Sequence, residues 1–216
     1  LLTTQRDLSE LRRIIDARSS AVAGEVAFRS RRELGYTGLA RREGFGTAEK
    51  LIQNATGSTS REATMLVSVG TMVHEALLVT AADPATGELP EGREISEPWL
   101  GAIGTAVASG DLTIEKAKAI KSGLGEPSPA PALPGAPDDE SGAEASVDAG
   151  VTIEDLAGVA ERLLTEAEAV NADQLYALAR QYRDELDSAG IALREKAIYE
   201  QRAFRRTRRP NGLPRF

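Results

Sequence analysis

The sequence predicts an all-α protein, a multi-helix domain that contains two hairpins of the helix-turn-helix type. Two observations predict this class. Aromatic residues make up only 4% of the chain, whereas alanine, leucine and charged residues are plentiful, a balance typical of helices that contact one another through small residues. Apolar residues also recur three and four positions apart along most of the chain, which is the spacing of one helix face.

A long first helix is predicted from about residue 5 to residue 33, with Thr3 or Thr4 as its N-cap. Its apolar positions recur at intervals of three, four and seven: Leu8, Leu11, Ile15, Val22 and Val26. This pattern predicts an amphipathic helix that packs in the core or on a partner subunit. The sharper alternative is a dimerising coiled coil, which would make the protein a homodimer through this helix, although few heptads support it.

Residues 29–46 combine arginines with aromatic residues. The segment contains Arg29, Arg31, Arg32, Arg41 and Arg42, interleaved with Tyr36 and Phe45. Clustered arginines beside aromatic side chains are typical of surfaces that bind a phosphate backbone. The alternative interpretation is a solvated helix end and loop, with Tyr36 and Leu39 filling the core. The glycines of the segment lack the order G-x-G-x-x-G, so a nucleotide-binding loop is not predicted.

Residues 44–71 have the outline of a helix-turn-helix. Gly57 is placed to end a first helix, because glycine adopts the left-handed cap conformation without a clash. Thr59 or Ser60 can then cap a second helix by accepting a bond from its first amides. This second helix would dock on DNA with Arg61 and Thr64 near its exposed start. The alternative is a helical hairpin whose only role is packing.

A second unit of the same kind is predicted over residues 98–123, where Gly110 ends one helix and Thr113 caps the next. The two units resemble each other weakly, either as an internal repeat or as two uses of one capping rule. Three lysines of the second unit form a further candidate DNA surface: Lys116, Lys118 and Lys121.

Residues 125–150 are predicted to be a disordered acidic linker between a helical region at 1–124 and a C-terminal region at 151–216. The linker holds half of the ten prolines, and residues 126–148 contain six acidic residues and no basic one. Because those six acidic residues are confined to the linker, the rest of the chain has a formal net charge of −1 rather than −7. A nucleic-acid partner is therefore compatible with the ordered part.

The C-terminal region is predicted to form helices followed by a basic β-hairpin. Thr152 and Asn171 are placed to cap two helices, and the second of these should break at residues 187–190. The arginine-rich residues 204–216 surround a Pro-Asn-Gly turn and predict the hairpin. An exposed ribbon of arginines could lie against a phosphate backbone, or the charges could simply protect a strand edge.

Most catalytic chemistry is excluded by composition. One histidine, His74, and no cysteine leave too few ligands for most metal sites, and no serine lies in a nucleophile elbow. We therefore expect no catalytic residue, no cofactor and no metal in this chain. No apolar run approaches 18 residues and no signal peptide is present, so we expect a cytoplasmic protein without a membrane span.

The chain resembles the actinobacterial family called domain of unknown function 222 over nearly all of its length. The most specific segment is RSRRELGYTGLARREGFGTAEKLIQNATGSTSREATMLVSVGT, and the others are AVASGDLTIEKAKAI, NADQLYALARQYRDELD and RAFRRTRRPNGLPRF. The chain departs from the family pattern at residues 187–190, where the family usually has an Asp-Pro-Asp-Gly turn. Members commonly continue into an HNH endonuclease domain. The resemblance implies that a nuclease with its divalent metal would follow Phe216. A fragment of a longer polypeptide is also expected because the chain starts at Leu1 rather than Met and ends within a predicted strand.

The function expected on these grounds is a non-catalytic helical region that binds or positions DNA for an attached HNH endonuclease. The alternative is a protein-interaction or dimerisation scaffold with no DNA contact. The expected DNA-binding residues are Arg41, Arg42, Lys50, Asn54, Ser60, Arg61, Thr64, Arg205, Arg206, Arg208 and Arg209.

Overall fold

The computed structural model describes residues 1–82, 89–90, 93–128 and 150–200, together with residues 207–208 and 214–215; side chains are described within 1–188 and at 199. The α-helices are α1 (Leu2–Arg29), α2 (Leu39–Arg42), α3 (Ala48–Thr56), α4 (Ser60–Ala81), α5 (Gly101–Ser109), α6 (Ile114–Leu124), α7 (Ile153–Glu166) and α8 (Ala172–Glu200). Two 3₁₀ segments span Arg32–Thr37 and Pro98–Leu100. The protein is mostly helical, so the predicted all-α class is confirmed.

Two short strands, β1 (Thr207–Arg208) and β2 (Pro214–Arg215), pair antiparallel, with Thr207 opposite Arg215. The turn predicted between them and the remainder of the expected ribbon lie outside the described residues. The β-hairpin as a whole therefore stays a prediction. Residues 129–149, which make up most of the predicted linker, also lie outside the described part of the chain.

The helix termini follow from the capping residues that the sequence indicated. Gly57 ends α3 with φ of 66°, a left-handed conformation that glycine adopts at little cost. At the start of α4 the Thr59 hydroxyl accepts a hydrogen bond from the Glu62 amide at 3.2 Å, and the Glu62 carboxylate accepts from the Thr59 amide at 2.9 Å. This reciprocal capping box satisfies two amides that would otherwise lack partners.

The second hairpin is built in the same way. Gly110 ends α5 with φ of 85°, and the Thr113 hydroxyl accepts from the Lys116 amide at 3.3 Å to begin α6. Thr152 caps α7 together with Asp155. Asn171 and Gln174 exchange two hydrogen bonds at 2.9 and 3.1 Å at the start of α8. The caps predicted for both hairpins and for α7 and α8 are thus confirmed, whereas a DNA-binding role for either hairpin stays a prediction.

Helix α8 does not break at residues 187–190, so that prediction is wrong. The helix runs without interruption from Ala172 to Glu200. The segment has no proline, and an internal glycine such as Gly190 weakens a helix by only about 1 kcal/mol relative to alanine. An ion pair between Arg183 and Asp187 at 3.1 Å, one helical turn apart, also supports the helix across the expected break.

The helices contact one another through glycine and alanine, as composition predicted. A Cβ on Gly24 of α1 would lie 2.1 Å from the carbonyl oxygen of Gly70 in α4, so the two backbones are in direct contact there. The same holds where Gly104 of α5 meets the Met72 carbonyl, at 2.3 Å from a notional Cβ. Gly24 is therefore required for packing, and its presence in mid-helix has a structural reason.

The main core joins helices on both sides of residues 129–149. It includes side chains of α4 to α8 that are almost completely buried: Met72, Ile103, Ile120, Leu124, Leu156, Leu163 and Leu175. Arg183 of α8 strengthens this connection by donating to the Leu124 carbonyl at 2.9 Å and the Glu126 carbonyl at 2.6 Å. The described parts of the predicted N- and C-terminal regions therefore share one hydrophobic core.

Helix α4 occupies the centre of the protein. By length and composition alone it is apolar enough to cross a membrane, contrary to the expectation from its sequence, but half of the relevant window is buried inside the protein. Its buried residues include Val69, Met72 and Val73, which belong to the main core. A core helix passes the same test, and the packing of α4 accounts for its apolar composition.

The predicted apolar face of helix α1 points away from the core, so packing of this face in the core is ruled out and packing on a partner subunit stays a prediction. It begins at Leu2 after Leu1, without a side-chain cap, so neither Thr3 nor Thr4 acts as the N-cap. Four of the predicted apolar positions, Leu8, Leu11, Ile15 and Val22, are 55–63% exposed. They do not pack in the core of this chain. The residues of α1 that do pack inward are Ala17, Ser20, Ala23 and Gly24.

Candidate functional site

The strongest candidate site lies between the end of α1 and the start of α3. After Arg29 the chain passes through the 3₁₀ segment Arg32–Thr37, where Gly35 has φ of 51° and ψ of −125° and allows a sharp change of direction. The Ser30 hydroxyl accepts a hydrogen bond from the Ala40 amide at 3.1 Å. This bond fastens the first turn of α2 to the end of α1 and brings two arginine-bearing segments together.

A cavity of about 260 Å³ opens where these segments meet. Its lining includes Arg31, Arg32 and Arg41, together with Tyr36 and the Ser30 hydroxyl. None of the described residues that line the cavity is acidic. Tyr36 is 90% exposed, so it does not fill the core as one interpretation of the sequence expected. We call Arg31, Arg32, Tyr36, Arg41 and the neighbouring Arg42 the arginine surface.

The arginines of this surface differ in how firmly they are held. Arg31 donates to the Phe28 carbonyl at 3.2 Å, and its guanidinium lies 4.0 Å from the centre of the Phe28 ring. A Glu33 carboxylate oxygen lies 4.0 Å from Nε of Arg31, at the limit of an ion pair. Among the described residues, Arg32 and Arg41 form no ion pair or side-chain hydrogen bond. Two guanidinium groups are therefore available to an external anion.

A cluster of aromatic and charged side chains supports Arg31 from behind. Phe28 stacks on His74 with the ring centres 5.2 Å apart, and Arg93 lies over the same Phe28 ring at 3.7 Å. Arg93 also approaches Nε2 of His74 at 2.7 Å and Glu25 at 3.4 Å. This cluster could not be predicted from the sequence, because Arg93 is 68 residues from Glu25 and lies in a segment with no regular pattern.

His74 is held in its neutral form. Burial lowers the pKa of His74, and although Glu25 opposes this effect, the nearby Arg93 charge adds to it. The geometry agrees, because a guanidinium can only donate and Nε2 must therefore accept, which requires an unprotonated nitrogen. Burial alone would raise the pKa of Glu25, but the hydrogen bond from Arg29 and the charges of Arg93 and Arg29 lower it below its ordinary value.

Glu75, the neighbour of His74, fixes the segment that carries Arg93. Its buried carboxylate accepts hydrogen bonds from the backbone amides of Ser96 and Glu97, both at 3.1 Å. The two residues of α4 thus hold residues 93–97 against α1. These contacts are structural, and they account for the presence of His74 and Glu75 in an otherwise apolar part of α4.

The predicted DNA-binding residues of the first hairpin are all exposed. Arg41 and Arg42 belong to α2, Lys50 and Asn54 to α3, and Ser60, Arg61 and Thr64 to the first turns of α4. Helix α3 contacts both α2 and α4, so the three helices that carry these residues are neighbours in the fold. Arg205, Arg206 and Arg209 lie outside the described residues, and of Arg208 only its place in β1 is described.

Helix α4 cannot serve as a recognition helix along its length. Beyond its first turns it is covered by α1, α3, α5 and α6, and residues such as Val67 and Val69 are buried. A helix that enters a DNA groove needs one long face free of the rest of the protein. Contact with DNA through this hairpin is therefore limited to the turn and to Ser60, Arg61 and Thr64.

The lysines of the second hairpin are engaged within the protein. Lys116 donates to the Ala167 carbonyl at 2.6 Å, and Lys118 lies 3.5 Å from the Ser68 hydroxyl. Lys121 forms a close ion pair with Glu97. The expectation of a second DNA surface at these three lysines is not supported by these contacts, because each ammonium group already has an intramolecular partner.

The described residues contain no group of three or more histidine, cysteine, aspartate or glutamate side chains that could hold a metal ion. In comparisons with protein-family models, curated proteins and solved structures, nothing matches this chain. The resemblance to domain of unknown function 222 therefore stays a prediction.

Proposed function

We propose that this chain is a non-catalytic helical module that binds the phosphate backbone of DNA through the arginine surface and so positions DNA for an attached HNH endonuclease. The observation that carries the proposal is the cavity between α1 and α2, which is lined by three arginines and by no described acidic residue. Arginine guanidinium groups bind phosphate oxygens through paired hydrogen bonds, so such a cavity suits a phosphate group.

Two further exposed cations lie on α3 and α4, the helices that follow the arginine surface along the chain. Lys50 on α3 and Arg61 at the start of α4 are exposed, and among the described residues neither forms an ion pair. Tyr36 presents its ring to solvent beside the arginines, where it could stack on an unpaired base. The contacts are therefore expected to be mainly with phosphate, with little reading of base sequence.

A fluorescence-anisotropy titration with a labelled duplex of about 25 base pairs tests the proposal. We expect the double variant Arg32→Ala/Arg41→Ala to bind roughly tenfold more weakly than the unaltered chain, because two phosphate contacts are lost. The matched control is Arg6→Ala/Arg180→Ala, which removes the same charge from exposed positions elsewhere. Equal losses in both variants, or no binding of the unaltered chain at low salt, would contradict the proposal.

A protein-interaction scaffold without DNA contact is the second candidate. The observation that favours it is the exposed apolar face of α1, since apolar side chains arranged in one stripe commonly mark a protein interface. Failure of the DNA titration, combined with self-association of the purified chain, would favour this candidate over the first.

A further inference from the structure

Helix α1 presents its apolar residues away from the protein that it belongs to. Leu8, Leu11, Ile15 and Val22 are 55%, 57%, 63% and 63% exposed. Successive residues of a helix are rotated by about 100°, so these four positions share one face. Ala17 and Ser20, which are buried against the rest of the protein, lie on the opposite face.

An ordinary surface helix turns its apolar stripe toward the core, whereas the first half of α1 turns its apolar stripe toward solvent. Toward the protein, the helix directs Ser9, Arg13 and Asp16 at an open groove shared with Thr113 and Glu115 near the start of α6. Toward solvent it directs leucine and isoleucine. An arrangement of this kind leaves the apolar stripe without an intramolecular partner among the described residues.

The apolar stripe has the register of a coiled coil. Leu1, Leu8, Ile15 and Val22 are separated by seven residues and occupy the a positions of a heptad, and Leu11 occupies a d position. The two other d positions are polar, Thr4 and Arg18. Three such heptads extend over roughly 33 Å at 1.5 Å per residue, which is short but enough for a seam between two helices.

The flanking charges match a second copy in parallel orientation. In this register Asp7 occupies a g position and Arg12 the e position five residues later, which are the positions that face each other across a parallel two-stranded coiled coil. Arg12 is 75% exposed and is supported on its own helix by Asp16 at 3.4 Å. Each Asp7 would then meet Arg12 of the second copy.

We propose that α1 pairs in parallel with α1 of a second copy of this chain, through Leu8, Leu11, Ile15 and Val22, and that Asp7 and Arg12 select the orientation. The proposal goes beyond DNA binding and does not depend on it, because the stripe ends at Val22 and the arginine surface begins at Arg31. The apolar stripe thus contacts α1 of the second copy, and the dimer would carry two arginine surfaces.

Sedimentation equilibrium from about 1 to 100 µM, the range expected for a short interface, provides the first test. We expect the unaltered chain to dimerise as concentration rises, and Leu11→Glu/Ile15→Glu to remain a folded monomer by circular dichroism. The matched control Leu77→Glu/Val79→Glu alters apolar residues of α4 that are 46% and 56% exposed, and it should still dimerise. A monomeric unaltered chain, or an unfolded Leu11→Glu/Ile15→Glu variant, would overturn the proposal.

The orientation is tested by a single cysteine, since the chain contains none. In the parallel register the two copies of residue 8 adjoin, so Leu8→Cys should form a covalent dimer under mild oxidation, whereas Val79→Cys should not. A chain that dimerises while Leu8→Cys fails to crosslink would overturn the parallel arrangement.

Mixing Asp7→Arg with Arg12→Asp should restore the dimer that each variant alone weakens, and absence of that rescue would contradict the role of this pair.

Discussion

At the scale of single residues, the titration of His74 makes the stability of the folded protein depend on pH. Its neutral imidazole accepts from Arg93 and stacks on Phe28, while Glu25 and Glu75 are the acidic groups nearest to it. Because the pKa of His74 is lowered in the folded protein from an ordinary value of 6.5, the unfolded chain binds a proton more readily. This contribution to stability is complete above pH 6.5 and is lost as the pH falls below that value.

We therefore predict that the free energy of unfolding decreases as the pH falls from about 7.5 to about 5.5, a window that lies above the ordinary titration of carboxylates. The variant His74→Gln should show a flatter profile over this window, because glutamine does not titrate. Urea unfolding at a series of pH values measures both profiles. Parallel profiles for the two proteins would show that His74 is not the titrating group.

A second residue-scale prediction concerns the crossing of α1 and α4. Gly24→Ala places a methyl group 2.1 Å from the Gly70 carbonyl oxygen, where only backbone is available to move, so we expect a loss of about 1–3 kcal/mol or more. The control is Gly158→Ala on α7, whose added methyl group meets nothing within 4 Å. That variant should be neutral or more stable by about 0.5–1 kcal/mol. Thermal unfolding followed by circular dichroism distinguishes the two.

At the scale of elements, the cap of α4 is the feature most open to test. Thr59→Ala removes the hydroxyl that accepts from the Glu62 amide, and the loss of an N-cap costs about 1 kcal/mol. Thr105→Ala, within the exposed side of α5, removes only a bond to the Gly101 carbonyl of the same helix and should change stability by less than about 0.5 kcal/mol. Equal destabilisation by both substitutions in denaturant titrations would argue against the capping role.

The sequence predicted helix class and helix ends well because these depend on neighbouring residues. Gly57 with Thr59 and Gly110 with Thr113 each act within one turn of the chain. It failed at the predicted break in α8 and did not decide the direction of α1. The break near Gly190 did not occur, since neither proline nor a competing cap stops α8 there. The direction of the apolar face of α1 was left open, because periodicity identifies an apolar face but not the partner that the face contacts.

The candidate site also has features that could be predicted from the sequence and features that could not. The arginines of residues 29–46 were recognisable from sequence as a cluster, whereas the cavity between Arg32 and Arg41 depends on the Gly35 bend and on the bond from the Ala40 amide to Ser30. The three lysines of α6 were recognisable as charges but not as internally paired groups. Charge can be counted from sequence, but its availability to a partner depends on distant contacts.

At the scale of the whole molecule, the described helices form one body that presents two distinct surfaces. The outward stripe of α1 is apolar and is the proposed contact with a second copy, while the arginine surface lies beyond the end of that helix and is the proposed contact with phosphate. A dimer formed through α1 would bind a long duplex more tightly than a monomer, since the second contact becomes intramolecular. The Leu11→Glu/Ile15→Glu variant is accordingly expected to bind a short duplex normally and a long duplex more weakly in anisotropy titrations.

The salt dependence of duplex binding tests the central claim, which is that the arginine surface binds phosphate. We predict that the logarithm of the association constant falls linearly with the logarithm of salt concentration, and that Arg32→Ala/Arg41→Ala reduces the slope by about 2, one unit for each lost phosphate contact. An affinity that is independent of salt, or a slope that these two substitutions leave unchanged, would contradict the account.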